Sequence, residues 1–422
     1  MEGLLEPNAR ATGASRQPML PEQRLISIAL LFVAAVLLTA AHYGMTEVWW
    51  LASAERMASF EAAAPFQYRL LLPLVVAVLS SITSFDVATL FVLTEVVTWM
   101  LLVLVAERAL QAFDVCATDR GRHLLAMTVV IPVAAHLIVP DLKIHSLFRV
   151  EDGVLQPAEW HLTAVFRYVY DLPAAAFTLG LVVVLHRFVT TLDRRWLATY
   201  LAVFALAALN RETTVFLIPV FLAVCYRRVD HRTLAGALVL QVALLFAIQT
   251  GLQWWFAGNV NPHANVPGTQ YENHLMHNLG LLGGPAYLAV FLLRFGAGLY
   301  LPALLLHRYM DPFLGRTLLW FAVPFLVTTL VFGRIQEHRV MLEVAPLLWL
   351  GAVQAIAAYR VQRARRLSPG GDRRMRAAVN AVADPRADQR EAAEGPEGAG
   401  GPHVRLDGEP ARHQRVLPGV AR

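Results

Sequence analysis

Charge is scarce in this chain and cysteine scarcer still. Only 16% of the 422 residues are Asp, Glu, Lys or Arg, against roughly 25% in ordinary soluble domains. With 57% hydrophobic residues and a mean hydropathy of +0.50, a soluble globular protein is excluded. The cysteines, Cys116 and Cys225, are two, which rules out a disulfide framework. No glycine-rich phosphate cradle, Walker motif or CxxC pair occurs, so a nucleotide-driven cytoplasmic enzyme is excluded. No internal repeat is visible, which counts against a carrier built from paired halves. A formal charge of +5 does not indicate nucleic acid, because most arginines fall where cytoplasmic loops would meet anionic headgroups.

What is present is a series of apolar runs. Hydropathy and loop charge predict an all-α, polytopic transmembrane helix bundle of about ten spans. These are 25–41, 88–105, 124–139, 165–185, 196–209, 215–226, 234–252, 286–306, 318–332 and 340–358. Residues 1–24 read as a cytoplasmic N-terminal segment leading into an uncleaved signal anchor. Residues 25–360 form the membrane domain, and 361–422 read as a disordered, Arg-rich cytoplasmic tail. The run 70–84 contains Pro73 and is short. Counted as a span, it would turn Arg108, Arg120, Arg122 and every later basic loop outward. Treated as an interfacial or re-entrant piece of a long first outer loop, it brings the loops into agreement with the positive-inside bias. Both termini are then cytoplasmic. Trp49, Trp50, Trp254, Trp255 and Phe256 fall at the outer boundary, as an aromatic belt requires.

The exceptions to that bias are the informative residues. Arg69, Arg211, Arg334 and Arg339 all lie on the outer side near the membrane surface. A planar guanidinium there suits phosphate or carboxylate. Glu47, Asp171, Glu212 and Glu337 lie near them in the topology, and Asn210-Arg211-Glu212-Thr213 forms a charged turn between two apolar runs. Charge at that depth is a functional-site hypothesis. The mixture suits a lipid-linked phosphate whose head lies outside and whose tail stays in the bilayer, with a carboxylate as base toward an acceptor hydroxyl. Plainer readings exist for each. Arg211 and Glu212 suit the neutralisation of a tight turn; Arg339 and Glu343 have i,i+4 spacing for an intrahelical pair; Asp171 suits a helix start; Glu55 and Glu61 suit a solvated face. Glu95 and Arg294 lie deep in spans and are expected to face the bundle interior, toward each other. His274, His277 and Asp141 are too loosely spaced for a metal set, so no metal or cofactor is expected.

Four of these features together resemble bacterial C-type (GT-C) glycosyltransferase-like membrane proteins, over about residues 25–345. Glu47 follows the first span in a long outer loop. The run Pro65-Phe66-Gln67-Tyr68-Arg69-Leu70-Leu71-Leu72-Pro73 resembles a "PF-x-YR-x-L-x-P" element. Asp171 precedes Leu172-Pro173 at the outer end of the fourth predicted span, and Asn210-Arg211-Glu212-Thr213 resembles an "[NK]-[RE]-[ET]" turn. Members usually carry paired acids in the first loop, where here Glu47 stands alone. The resemblance implies a GT-C-like bundle with interfacial helices in the first outer loop, sited in a bacterial inner membrane. It implies transfer of a sugar from a polyprenyl-phosphate-linked donor to a glycan or lipid acceptor on the periplasmic face, with membrane lipids as the other partners. Glu47 or Asp171 would be the base, Arg69 and Arg211 would hold the donor phosphate, Glu212 would orient Arg211, and Asn210, Arg334, Glu337 and Arg339 would border the cavity. A transporter or flippase of a lipid-linked sugar or organic anion, or an O-antigen-polymerase-like enzyme, are the alternatives.

Overall fold

The computed structural model describes residues 20–367 apart from 117, 140, 145–147, 152, 153, 158, 159, 164 and 260–272. The expectation of a disordered tail therefore falls outside the described residues from 368 onward, and that for the N-terminal segment does so through residue 19. In chain order the helices begin with α1 (Pro21–Met45), α2 (Ala54–Ala58), α3 (Leu71–Ile82) and α4 (Val87–Ala112). Two short helices follow, α5 (Asp119–Met127) and α6 (Val130–Leu137), and then α7 (Asp171–Thr191), α8 (Arg194–Asn210), α9 (Leu217–Cys225) and α10 (His231–Trp255). The series closes with α11 (Leu275–Leu282), α12 (Pro285–Arg294), α13 (Tyr300–Leu305), α14 (Pro312–Phe332) and α15 (Ala345–Leu367).

The protein is a multi-pass helical membrane protein. Six helices of 21 to 27 residues are apolar enough to cross a bilayer: α1, α4, α7, α10, α14 and the run His338–Ala364 that includes α15. At 1.5 Å per residue each covers about 30 Å or more, the thickness of a hydrocarbon core. A seventh crossing exists if the bent pair Leu275–Leu282 and Tyr287–Gly298, turned by 100°, counts as one. This departs from the ten expected spans, and the backbone explains why. The run 124–139 is divided between α5 and α6. The run 165–185 begins as a strand and turns helical only at Asp171. The run 286–306 breaks at Gly296, whose φ of 56° is left-handed and whose absent Cβ leaves room for the Leu348 side chain. The run 215–226 falls, but for its last residue, in an apolar helical stretch of 14 residues, Glu212–Cys225. α3 is 12 residues long, about 18 Å, and is too short to span alone.

Aspartates set several helix starts. Asp86 accepts from the Thr89 amide at 2.7 Å, Asp193 from Arg195 at 2.9 Å, Asp230 from Thr233 at 2.9 Å and Asp311 from Phe313 at 2.7 Å. They begin α4, α8, α10 and α14. α7 is the centre of the bundle. Its Leu179, Leu181, Val182 and Leu185 are fully buried, and Ala174-Ala175-Ala176 brings neighbouring backbones close. Leu192, left-handed at φ 55°, ends α7 and turns the chain into α8. With these short turns α7, α8, α9 and α10 run alternately up and down. One end of the bundle collects Arg194, Arg195, Arg227 and Arg228, and the other collects Asp171, Asn210 and Arg211.

The segments that follow α1 and precede α7 are not all-helical. β1 (Thr46–Val48) pairs in parallel with β6 (Val165–Arg167); between them in sequence, β2 (Asp141–Ile144) pairs antiparallel with β5 (Trp160–Thr163), and β3 (Phe148–Glu151) with β4 (Val154–Pro157). Trp49 meets Phe166 edge-on at 4.9 Å across the first ribbon.

α1 buries only a stripe, Leu31, Ala35, Thr39 and His42, against α4. On that stripe His42 Nδ1 and Glu95 Oε1 are 2.8 Å apart. The expected Glu95–Arg294 contact does not form: Arg294 donates to the Val139 carbonyl at 2.7 Å. Glu95→Ala should lower stability by about 1–3 kcal/mol, because His42 stays buried without its partner. Glu95→Gln, which keeps a hydrogen-bonding group, should cost less. The thermal midpoint of detergent-solubilised protein measures both, and equal loss in the two variants would contradict this reading.

Candidate functional site

The first loop, the loop before α7, the turn after α8 and the segment before α15 meet at one end of the bundle. They enclose a cavity of about 390 Å³ lined by Arg69, Arg211, Glu212, Arg334, Glu337 and Arg339, among others. Six of the nine residues singled out in the sequence thus converge on one space. Asn210, Asp171 and Glu47 are not among its lining residues.

Asp171 lies beneath it, fully buried at the first residue of α7. It does not cap its own helix. Its Oδ1 accepts from Arg211 at 3.2 Å and its Oδ2 from Arg339 at 3.3 Å. Arg211 also pairs with Glu343 at 3.1 Å. Glu343 in turn accepts from Thr213 Oγ1 at 2.6 Å and Thr178 Oγ1 at 3.4 Å. The second partner of Arg339 is Glu337. The intrahelical Arg339–Glu343 pair considered from the sequence is therefore absent. Residues His338–Val344 form a 3-10 helix, in which i and i+3 align and i+4 points about a third of a turn away.

Arg69 makes a two-pronged contact with Glu212, at 2.9 and 3.4 Å, instead of Glu212 orienting Arg211. Arg69 also lies 4.1 Å over the Tyr170 ring, and Arg339 3.8 Å over Tyr168. Burial works against the Arg69 charge, but Glu212 alongside more than compensates and raises its pKa well above the usual value. Burial pushes the Tyr168 phenol up to about 12, and it holds Tyr170 higher still despite the arginines. Both phenols are neutral at physiological pH. Asn210 supports the arrangement from below, donating to the Tyr170 carbonyl at 3.0 Å.

Glu47 is exposed on β1, in register with Phe166, while its neighbours Trp49 and Phe166 line the cavity. Glu55 and Glu61 are exposed, as a solvated face requires. The carboxylates that do reach the cavity are Glu212 and Glu337, whose side chains each keep 32% exposure.

The sequence reading missed the aromatic wall and the role of Glu343. Tyr168 and Tyr170 flank the start of α7, and that alternation was the available signal. Phe325, Thr328, Thr329 and Phe332 of α14 also line the cavity. Their spacing of three, four and seven places them on one helical stripe, so the wall descends about 10 Å along the helix. Among the described residues, no three His, Cys, Asp or Glu side chains come together as a metal-ligand set. No protein-family model matches the chain, and no curated protein matches it.

Proposed function

We propose that the protein is an integral membrane glycosyltransferase of the GT-C type, taking its sugar from a polyprenyl-phosphate-linked donor. One observation carries the reading: four arginines border a cavity that is also lined by the apolar and threonine stripe of α14. An anionic head fits the arginines, and an apolar chain fits the stripe. The Arg194, Arg195, Arg227 and Arg228 end would face the cytoplasm under the positive-inside bias. That puts the cavity on the periplasmic face of a bacterial inner membrane, with both termini cytoplasmic.

In the transfer, a carboxylate takes the proton of an acceptor hydroxyl, on a glycan or a lipid. The freed oxygen attacks the anomeric carbon, and the bond from that carbon to the phosphate oxygen breaks with inversion. The electron pair leaves with the polyprenyl phosphate, whose added negative charge the guanidinium stabilises. Geometry favours Glu337 as the base, because it faces the cavity; Glu212 also lines the cavity, but both its oxygens are taken up by Arg69. Asp171, with both oxygens held by arginines, is better suited to fixing Arg211 and Arg339 in place, and Glu47 lies outside the lining. The transporter alternative expected Glu95 and Arg294 together along a path; the pairing of Glu95 with His42 gives it no support.

The test uses purified full-length protein with a panel of undecaprenyl-phosphate hexoses and pentoses and a membrane-extract acceptor. Release of undecaprenyl phosphate is expected from at least one donor. Glu337→Gln should reduce that release about 100-fold or more, the usual loss for a general base. No release from any donor would overturn the reading.

A further inference from the structure

The four cavity arginines are not equivalent. Arg69, Arg211 and Arg339 are each more than nine-tenths buried, and each is held by at least one carboxylate. These three guanidiniums face four carboxylates, Asp171, Glu212, Glu337 and Glu343. Arg334 lines the same cavity, is half-buried, and among the described residues has no carboxylate within ion-pair distance.

Its backbone is nonetheless firmly held. Asn278 on α11 is fully buried and donates to the carbonyls of Leu330 and Gly333 at 2.8 and 2.7 Å. Its side-chain oxygen accepts from the Ile335 amide at 3.4 Å. The turn is thus gripped on both sides of Arg334, at Gly333 and at Ile335. A side chain left without a partner on so fixed a turn is placed for something that arrives.

We infer that Arg334 is the group that binds the anionic head of the substrate, while Arg69, Arg211 and Arg339 are framework. This rests on the reading of the cavity as a site for an anionic amphiphile, and it assigns the charge recognition within that site. An anion at the other arginines would have to displace Asp171 from Arg211 or Arg339, stranding a fully buried carboxylate, or break the two-pronged Arg69–Glu212 contact. Arg334 demands no such exchange.

The experiment is equilibrium binding of tritiated farnesyl phosphate to the full-length protein in detergent, with farnesol and inorganic phosphate as competitors. Wild type should bind farnesyl phosphate, and both competitors should be much weaker. Arg334→Gln should weaken farnesyl phosphate at least tenfold with its thermal midpoint unchanged, and Arg334→Lys should recover part of the loss. Arg69→Gln, by contrast, should lower the thermal midpoint. Equal affinity in wild type and Arg334→Gln would overturn the assignment of Arg334 and leave the cavity reading standing. No farnesyl phosphate binding to wild type would overturn both. Inorganic phosphate competing as well as farnesyl phosphate would overturn the amphiphile, making this a site for free anions.

Discussion

Replacing Asp171 with alanine is expected to destabilise the folded protein by about 3–5 kcal/mol, the range for breaking a buried ion pair. One carboxylate, with no solvent exposure, serves two arginines that are themselves 5% and 6% exposed. Without it each keeps one acidic partner, Glu343 for Arg211 and Glu337 for Arg339, but the two guanidiniums then repel each other across the vacated space. Exposed ion pairs are typically worth less than about 1 kcal/mol, so burial decides the size of this effect. Asp171→Asn should fall between wild type and alanine, since an amide oxygen satisfies one donor but brings no charge. Fluorescence-detected size exclusion after graded heating gives the comparison. An alanine variant with a wild-type midpoint would remove Asp171 from its organising role.

Arg211→Met should have an effect of similar size for a different reason. It takes away the guanidinium that pairs with Glu343, a side chain only 2% exposed, and leaves it two threonine hydroxyls. A carboxylate so stranded must be neutralised or pull its surroundings apart, again at about 3–5 kcal/mol. The discriminating variant is the double change Arg211→Met with Glu343→Gln. Glutamine has no charge to strand and can still accept from Thr213, so part of the loss should return. The coupling between the two sites should be about 1–3 kcal/mol, as for directly paired groups. Additive losses, measured the same way, would mean that the two residues do not act as a pair.

The site was more legible in the sequence than the span count. Hydropathy reports the transfer cost of each residue and says nothing about where the backbone bends. It therefore took 286–306 as one crossing, although Gly296 and Ala297 are left-handed within it. It also joined Val165 to α7, although Val165 pairs with Thr46 in a ribbon. The outward arginines were legible because a cation on the wrong side of a membrane is conspicuous by composition alone. Their partners were not. The neighbours Arg211 and Glu212 point to different acids and arginines, and Arg339 passes over Glu343 for Asp171, 168 residues away. Such choices depend on helix type and packing, which local spacing does not encode. Glu95 shows the same limit: its need for a buried partner followed from depth, but the identity of that partner, His42, did not.

The chain order of the ionic network also matters while the protein is being made. Asp171 is synthesised 40 residues before Arg211 and 168 before Arg339. At roughly 5–20 residues per second, the interval before Arg339 appears is on the order of ten seconds or more. Throughout it, the helix that will become the centre of the bundle carries an acid whose second arginine does not yet exist. Arg211, arriving earlier, likewise waits for Glu343. The stretch that carries Arg339 and Glu343 therefore brings the charges that lock the earlier ones. A nascent chain cut short before it retains an unsettled core, which membrane quality control can recognise.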